Sequence, residues 1–218
     1  MTPSEKLLEY LNNGSKGHLD LHGADLKAIS VDLRSAKLIG ANLSGADLSG
    51  LYLRYADLRF ANLRDANLSG ADLLGANLSD ADLSNANLSN ADLSESTLKN
   101  AKFVNSNLTK ANLKRAFMPK AILRNANLSE ADLEGAYLKD ADLSETELTG
   151  TNLSGIKLFE VIFTGANYNN AILKGAKFLG VNDFMFSLNL KIEKRMPDST
   201  PVSVFKPADW PFLKNRKN

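Results

Sequence analysis

From Leu33 onward an apolar side chain falls on every fifth residue, through Leu38, Leu43 and Leu48 to Leu173 and Phe178, without an insertion or deletion. Twenty-five of these thirty positions are leucine and the rest are Phe103, Met118, Phe163, Tyr168 and Phe178, so bulk is what they share. Two residues earlier stands alanine in twenty-two units; the exceptions are small or aliphatic, such as Val31, Leu51, Ser96, Ser106, Thr146 and Ile156. Asp or Asn immediately precedes the leucine in eighteen units. We number the five positions of a unit so that alanine is first, Asp or Asn second and leucine third.

The period excludes both regular structures. A helix turns about 100° per residue, so a leucine every five residues wanders around its surface. In a flat strand an odd period throws successive leucines onto opposite faces. First and third positions share a face where the chain is locally extended. All of them can point inward only if the chain bends between units, always in the same sense. A coil wound around an axis meets that demand. The fifth position is Gly in eleven units. Gly and Asn supply the positive φ of tight turns, and Asp and Asn close turns with their side chains. No helix is expected between residues 31 and 180.

The run A-[DN]-L-x-x, as in Ala41-Asn42-Leu43-Ser44-Gly45 and Ala81-Asp82-Leu83-Ser84-Asn85, resembles the pentapeptide-repeat family over about two thirds of the chain. The resemblance implies an all-β fold, a right-handed quadrilateral β-helix (solenoid) with four units per coil. Leucine would stack inside and alanine would sit where the walls come close. Residues 19–28 read as two further units around Leu21 and Leu26, which brings the solenoid to about eight coils. Because Leu26 and Leu33 are seven apart, a two-residue bulge is expected near Ile29 and Ser30.

A stacked coil exposes its last backbone edge and apolar shaft, so both ends need covers. Thr2, Pro3 and Glu5 form a helix-start signature. Leu7, Leu8 and Leu11 follow at helical spacing and Asn12-Asn13-Gly14 ends the run, which predicts a capping helix over residues 3 to 12. Beyond Gly180 the register breaks. Phe184, Phe186, Leu188, Leu190 and Ile192 alternate with mostly polar residues, which predicts a cap strand able to support a homodimer through that end. Residues 195–218 hold four of the six prolines and read as an irregular tail. The expected organisation is therefore 1–18 cap and linker, 19–180 solenoid, and 181–218 cap strand and tail.

Composition narrows the function. Cysteine is absent, so disulfides, thiolate metal sites and cysteine nucleophiles are excluded. The histidines are His18 and His22, and the net charge is +1. No apolar run reaches the ~18–20 residues of a membrane span, and the N-terminus lacks an apolar signal core, so a cytoplasmic protein with no membrane role is expected. His18, Asp20 and His22 would share one side of an extended segment, in reach of a metal but short of a full ligand set; no metal and no cofactor is assigned. Carboxylates such as Asp72 and Asp92 recur at second positions, where they mark turn chemistry, and no nucleophile in the array has a nearby base. An enzyme is not expected.

Folding the register by four assigns side chains to faces. The face through Leu38, Leu58 and Leu78 has seven basic and four acidic residues and brings Phe117, Tyr137, Phe159 and Pro119 together among Lys99, Lys120, Lys139 and Lys157. Solvent-facing aromatics on adjacent coils mark a patch for a protein partner. Tyr52, Tyr55 and Phe60, near Arg54 and Arg59, form a second candidate. The leading expectation is a non-catalytic structural or interaction module of the kind found in bacteria. The alternative, which the resemblance supplies, is a DNA-mimic regulator binding a type II topoisomerase (gyrase). Phosphate mimicry needs an acidic surface, yet residues 31–180 carry 17 acidic and 16 basic residues. Nucleic acid itself is not an expected partner.

Overall fold

The computed structural model describes residues 1–27 and 32–179. The chain opens with helix α1, Pro3–Asn12, whose N-cap Thr2 accepts a hydrogen bond from the Glu5 N–H while the Glu5 carboxylate accepts from the Thr2 N–H. Two of the helix's orphan donors are thereby satisfied reciprocally, and Pro3 fits a first turn that needs no N–H. The buried face differs from the expected stripe. Leu7 and Tyr10 are buried, Leu11 partly so, and Leu8 is 42% exposed. Positions 7, 10 and 11 lie on one side of a helix, while Leu8 is rotated a further 100° from Leu7 and faces out.

From Lys37 to Ile172 the second positions pair in parallel, each with the residue twenty further on: Asn42 with Asn62, Asn62 with Asp82, Asp82 with Lys102. Four five-residue units therefore make one coil. The first two pairs, Asp20 with Asn42 and Asp25 with Asp47, are offset by twenty-two, which accounts for the two extra residues. Their expected place at Ile29 and Ser30 lies outside the described residues. So do the expected cap strand and tail.

The pairing is mostly single bridges. Only Lys157–Phe159 (β1) and Lys177–Leu179 (β2) form strands among the described residues, and they pair in parallel. Ordinary strands cannot lengthen here because a turn interrupts every unit. The third-position carbonyl accepts from the N–H of the next first position, as in Ala66 to Leu63 at 3.2 Å, and the fifth residue adopts a φ near +60°.

Each N–H in a unit has a distinct destination, illustrated around Leu83. The Asp82 N–H reaches back one coil to the Ala61 carbonyl, and the Leu83 N–H reaches forward to Lys102. The Asn85 N–H also reaches forward, to Val104, and the Ala86 N–H closes the turn on Leu83. That leaves the fourth residue, Ser84, whose N–H is taken by the Asp82 side chain at 3.0 Å. The second position is Asp or Asn because a buried or half-buried donor must be paired. Amides add links between coils: Asn107 donates to Asn87, Asn87 to Asn67 and Asn67 to Asp47.

Inside, leucine and alanine form one continuous core, with side chains from Ala41 to Leu158 almost wholly shielded. Burying a leucine stabilises by about 1.5–3 kcal/mol. The first-position exceptions stay satisfied. Ser96 and Ser106 donate to the carbonyls of Leu93 and Phe103, Thr146 to Leu143, and Thr151 to Leu128.

Candidate partner-binding face

The second position shows where the surface departs from the demands of the coil. On the face through Leu48, Leu68 and Leu88 it reads Asp47, Asn67, Asn87, Asn107, Asn127, Glu147, Asn167, an unbroken line of acceptors. On the face through Leu38 it reads Lys37, Asp57, Asn77, Thr97, Phe117, Tyr137, Lys157, Lys177. After Asn77 the turn-closing acceptor is given up on five successive coils. At one of them the loss is compensated: Pro119 follows Phe117 at the fourth position and has no N–H to satisfy. The other faces depart from the pattern less often, at Lys102, Ile122 and Ile162 on one, at Tyr52 and Ile172 on another, and at Glu147 on the third.

Stacked in register, these residues build a strip. Thr97 pairs with Phe117, Phe117 with Tyr137, Tyr137 with Lys157, and Lys157 with Lys177. The Phe117 and Tyr137 rings lie 5.3 Å apart and within 6° of parallel. Phe159 approaches Tyr137 edge-on at 6.3 Å and 67°. Phe117 is 45% exposed, and Tyr137, Phe159 and Pro119 are partly buried. The structure thus brings together the four residues of the first expected patch.

The second group is arranged differently. Tyr52, Tyr55 and Phe60 are 67%, 62% and 61% exposed, but no ring contact joins them among the described residues. They lie along one coil, on a face and two corners. Tyr55 and Phe60 occupy fifth positions with φ of 59° and 60°. Tyr55 lies over Gly75 of the next coil, where a Cβ would stand 2.6 Å from the ring. The arginines beside them are engaged, Arg54 with Asp72 at 2.6 Å and Arg59 with Asp57 at 2.7 Å.

Several other charges on the rod are paired within or between coils: Lys27 with Asp47, Arg64 with Asp82, Lys114 with Asp132 and Glu134, Arg124 with Asp142. The Lys27 ammonium donates to Asp47 and holds its carboxyl down at about 2. The Arg34 guanidinium does the same for Asp32, also at about 2. At Asp142 partial burial pushes the carboxyl up, and hydrogen bonds from Ser144 and Arg124 outweigh it, so the net direction is downward. Lys99, Lys120, Lys139, Lys157 and Lys177 form no ion pair among the described residues, and neither do Lys37, Lys102 and Lys174. Lys177 was not anticipated as part of this group. Its in-register place above Lys157 could have been found by continuing the count of five.

The histidine segment has local partners. Asp20 Oδ1 accepts from the His22 N–H and from Asn42, and the His22 ring bonds Ser44 Oγ at 2.9 Å. No group of His, Asp or Glu among the described residues is arranged to hold a metal. The carboxylates of Asp72 and Asp92 serve turns and neighbouring side chains: Asp72 takes the Leu74 N–H and Arg54, and Asp92 takes Ser94 and Asn112. No described helix is long and apolar enough to cross a membrane.

Parallel single-residue bridges every twenty residues, leucine inside and a left-handed fifth residue define a solenoid of five-residue units. The family model for pentapeptide repeats matches residues 29–59, 61–100, 86–125 and 126–165, more than half of the chain, and the chain belongs to that family. Among solved structures it is similar to a pentapeptide repeat protein from the thylakoid lumen of Arabidopsis thaliana, at 41% identity over 45% of this chain and 69% of that one, with a TM-score of 0.45. It is also similar to HetL of the cyanobacterium Nostoc, a pentapeptide repeat protein involved in heterocyst differentiation regulation, at 27% identity over 81% and 96% of the two chains, with a TM-score of 0.30. A third similarity is to QnrB1, a plasmid-mediated fluoroquinolone resistance protein, at 19% identity over 82% and 100%, with a TM-score of 0.37. Among curated proteins nothing matches.

Proposed function

We propose that this protein is a non-catalytic interaction module of the bacterial cytoplasm, a right-handed four-sided rod of about eight coils that docks a protein partner on the strip of Phe117, Tyr137, Phe159 and Pro119. Tyr52, Tyr55 and Phe60 supply a second contact, and a homodimer through the C-terminal end would present two such strips. The reading rests on one observation: five successive coils on one face forgo the Asp or Asn that closes the turn, and one threonine, two aromatic and two lysine side chains take its place. The recurring carboxylates Asp72 and Asp92 are engaged in turns and ladders. A gyrase-directed DNA mimic has less support, because acidic and basic residues nearly balance along residues 31–180.

The test is affinity capture from a bacterial lysate with the wild-type protein and with Phe117→Ser/Tyr137→Ser. A specific protein retained by the wild type and lost from the double variant is expected. An identical set of retained proteins would remove the strip as the docking site.

A further inference from the structure

The lysines of the strip say what kind of partner it fits. Lys157 and Lys177 are directly opposed in the β1–β2 pair, and like charges facing each other across a ladder destabilise it. At other points of the rod a lysine does meet a carboxylate of the next coil, as Lys27 meets Asp47 and Lys114 meets Asp132. Here Lys157 has Tyr137 on one side and Lys177 on the other, and Lys139 lies between Pro119 and Phe159 in its column of fourth positions. Asp140 and Glu160 stand at the adjoining corner and form no ion pair with these lysines. Among the described residues, Lys139, Lys157 and Lys177 thus stand without an ion pair beside half-exposed rings.

The rings discriminate between anionic partners. Single-stranded nucleic acid binds such surfaces by laying bases on open aromatic faces. The facing sides of Phe117 and Tyr137 are closed against each other by their parallel stacking, and Tyr137 meets Phe159 edge to face. An aromatic rim carries the positive end of the ring quadrupole, so the rims of the stack favour a carboxylate as the lysines do. We infer that the strip binds an acidic protein segment, its carboxylates on Lys139, Lys157 and Lys177 and its apolar side chains against Phe117 and Phe159. This inference rests on the reading of the strip as a protein-docking site and specifies the chemistry of the occupant.

Fluorescence anisotropy of the full chain tests it with three labelled probes: a decapeptide of glutamates punctuated by leucines, the same peptide with glutamine for glutamate, and decathymidylate. The acidic peptide should bind saturably, and its affinity should fall about tenfold or more in Lys139→Gln/Lys157→Gln and again when salt is raised. Neither other probe should match it. Circular dichroism of both variants verifies that the coil is retained. Failure of the acidic peptide to bind, binding unchanged in the lysine variant, or decathymidylate binding as tightly would overturn the inference. If the glutamine peptide binds equally well and is lost in Phe117→Ser/Tyr137→Ser, the docking reading stands and the acidic partner falls.

Discussion

Left-handed backbone at the fifth position costs glycine nothing and a bulky side chain about 1–2 kcal/mol. Most units meet that cost with Gly, Asn or Asp, such as Gly45, Asn85 and Asp65. Tyr55 and Phe60 do not, and neither recovers the cost by burial, since both are more than 60% exposed. Replacing Tyr55 with asparagine should therefore leave stability unchanged or raise it by up to about 1 kcal/mol, measured as the denaturant midpoint. A loss of about 2 kcal/mol or more would show instead that the ring packed over Gly75 is structural.

At the level of the element, adjacent coils are tied by backbone bridges, amide ladders and ion pairs such as Lys27–Asp47, others such as Arg34–Asp32 close within one unit, and the ion pairs respond to pH. Asp47 and Asp32 titrate at about 2 in the folded protein, held down by Lys27 and Arg34, against about 3.9 for an unfolded aspartate. A depressed carboxyl contributes stability that is fully present above the unfolded value and disappears as pH falls through the folded one. The thermal midpoint should accordingly be level from neutrality to about pH 5, fall from about pH 4, and continue falling to about pH 2. Lys27→Gln should make that decline shallower. A midpoint that holds or climbs between pH 4 and pH 2 would contradict this assignment of charge.

Much of this element structure was legible in advance. The period of five, the seven-residue step and the Thr2–Glu5 signature yield the coil, its two extra residues and helix α1. Tyr10 in place of Leu8 on the helix's buried side was readable from helical geometry but was obscured by the richness in leucine. The grouping of Phe117, Tyr137 and Phe159 followed from counting by twenty, the coil length that the family resemblance implies and the bridges show. Their mutual tilt did not, because ring rotamers are decided by packing against side chains far away in sequence. The accounting of the fourth-position N–H was also out of reach, since it depends on which donors the neighbouring coils have already satisfied.

As a whole molecule the rod is quasi-one-dimensional: each coil touches the next, and a face is a column of residues at intervals of twenty. The candidate site exists only because that interval holds, for Phe117, Tyr137 and Lys157 are remote in sequence and adjacent in space. The chain contains no cysteine, so engineered pairs report adjacency without interference. Ser69→Cys/Ser89→Cys places thiols on one column a single coil apart, about 4.8 Å along the axis, within the span a disulfide can close. Mild oxidation should crosslink this pair within the monomer and leave Ser69→Cys/Ser94→Cys, five residues out of phase, unlinked. Equal crosslinking of both pairs, or of the second alone, would contradict a twenty-residue coil and the binding face assembled on it.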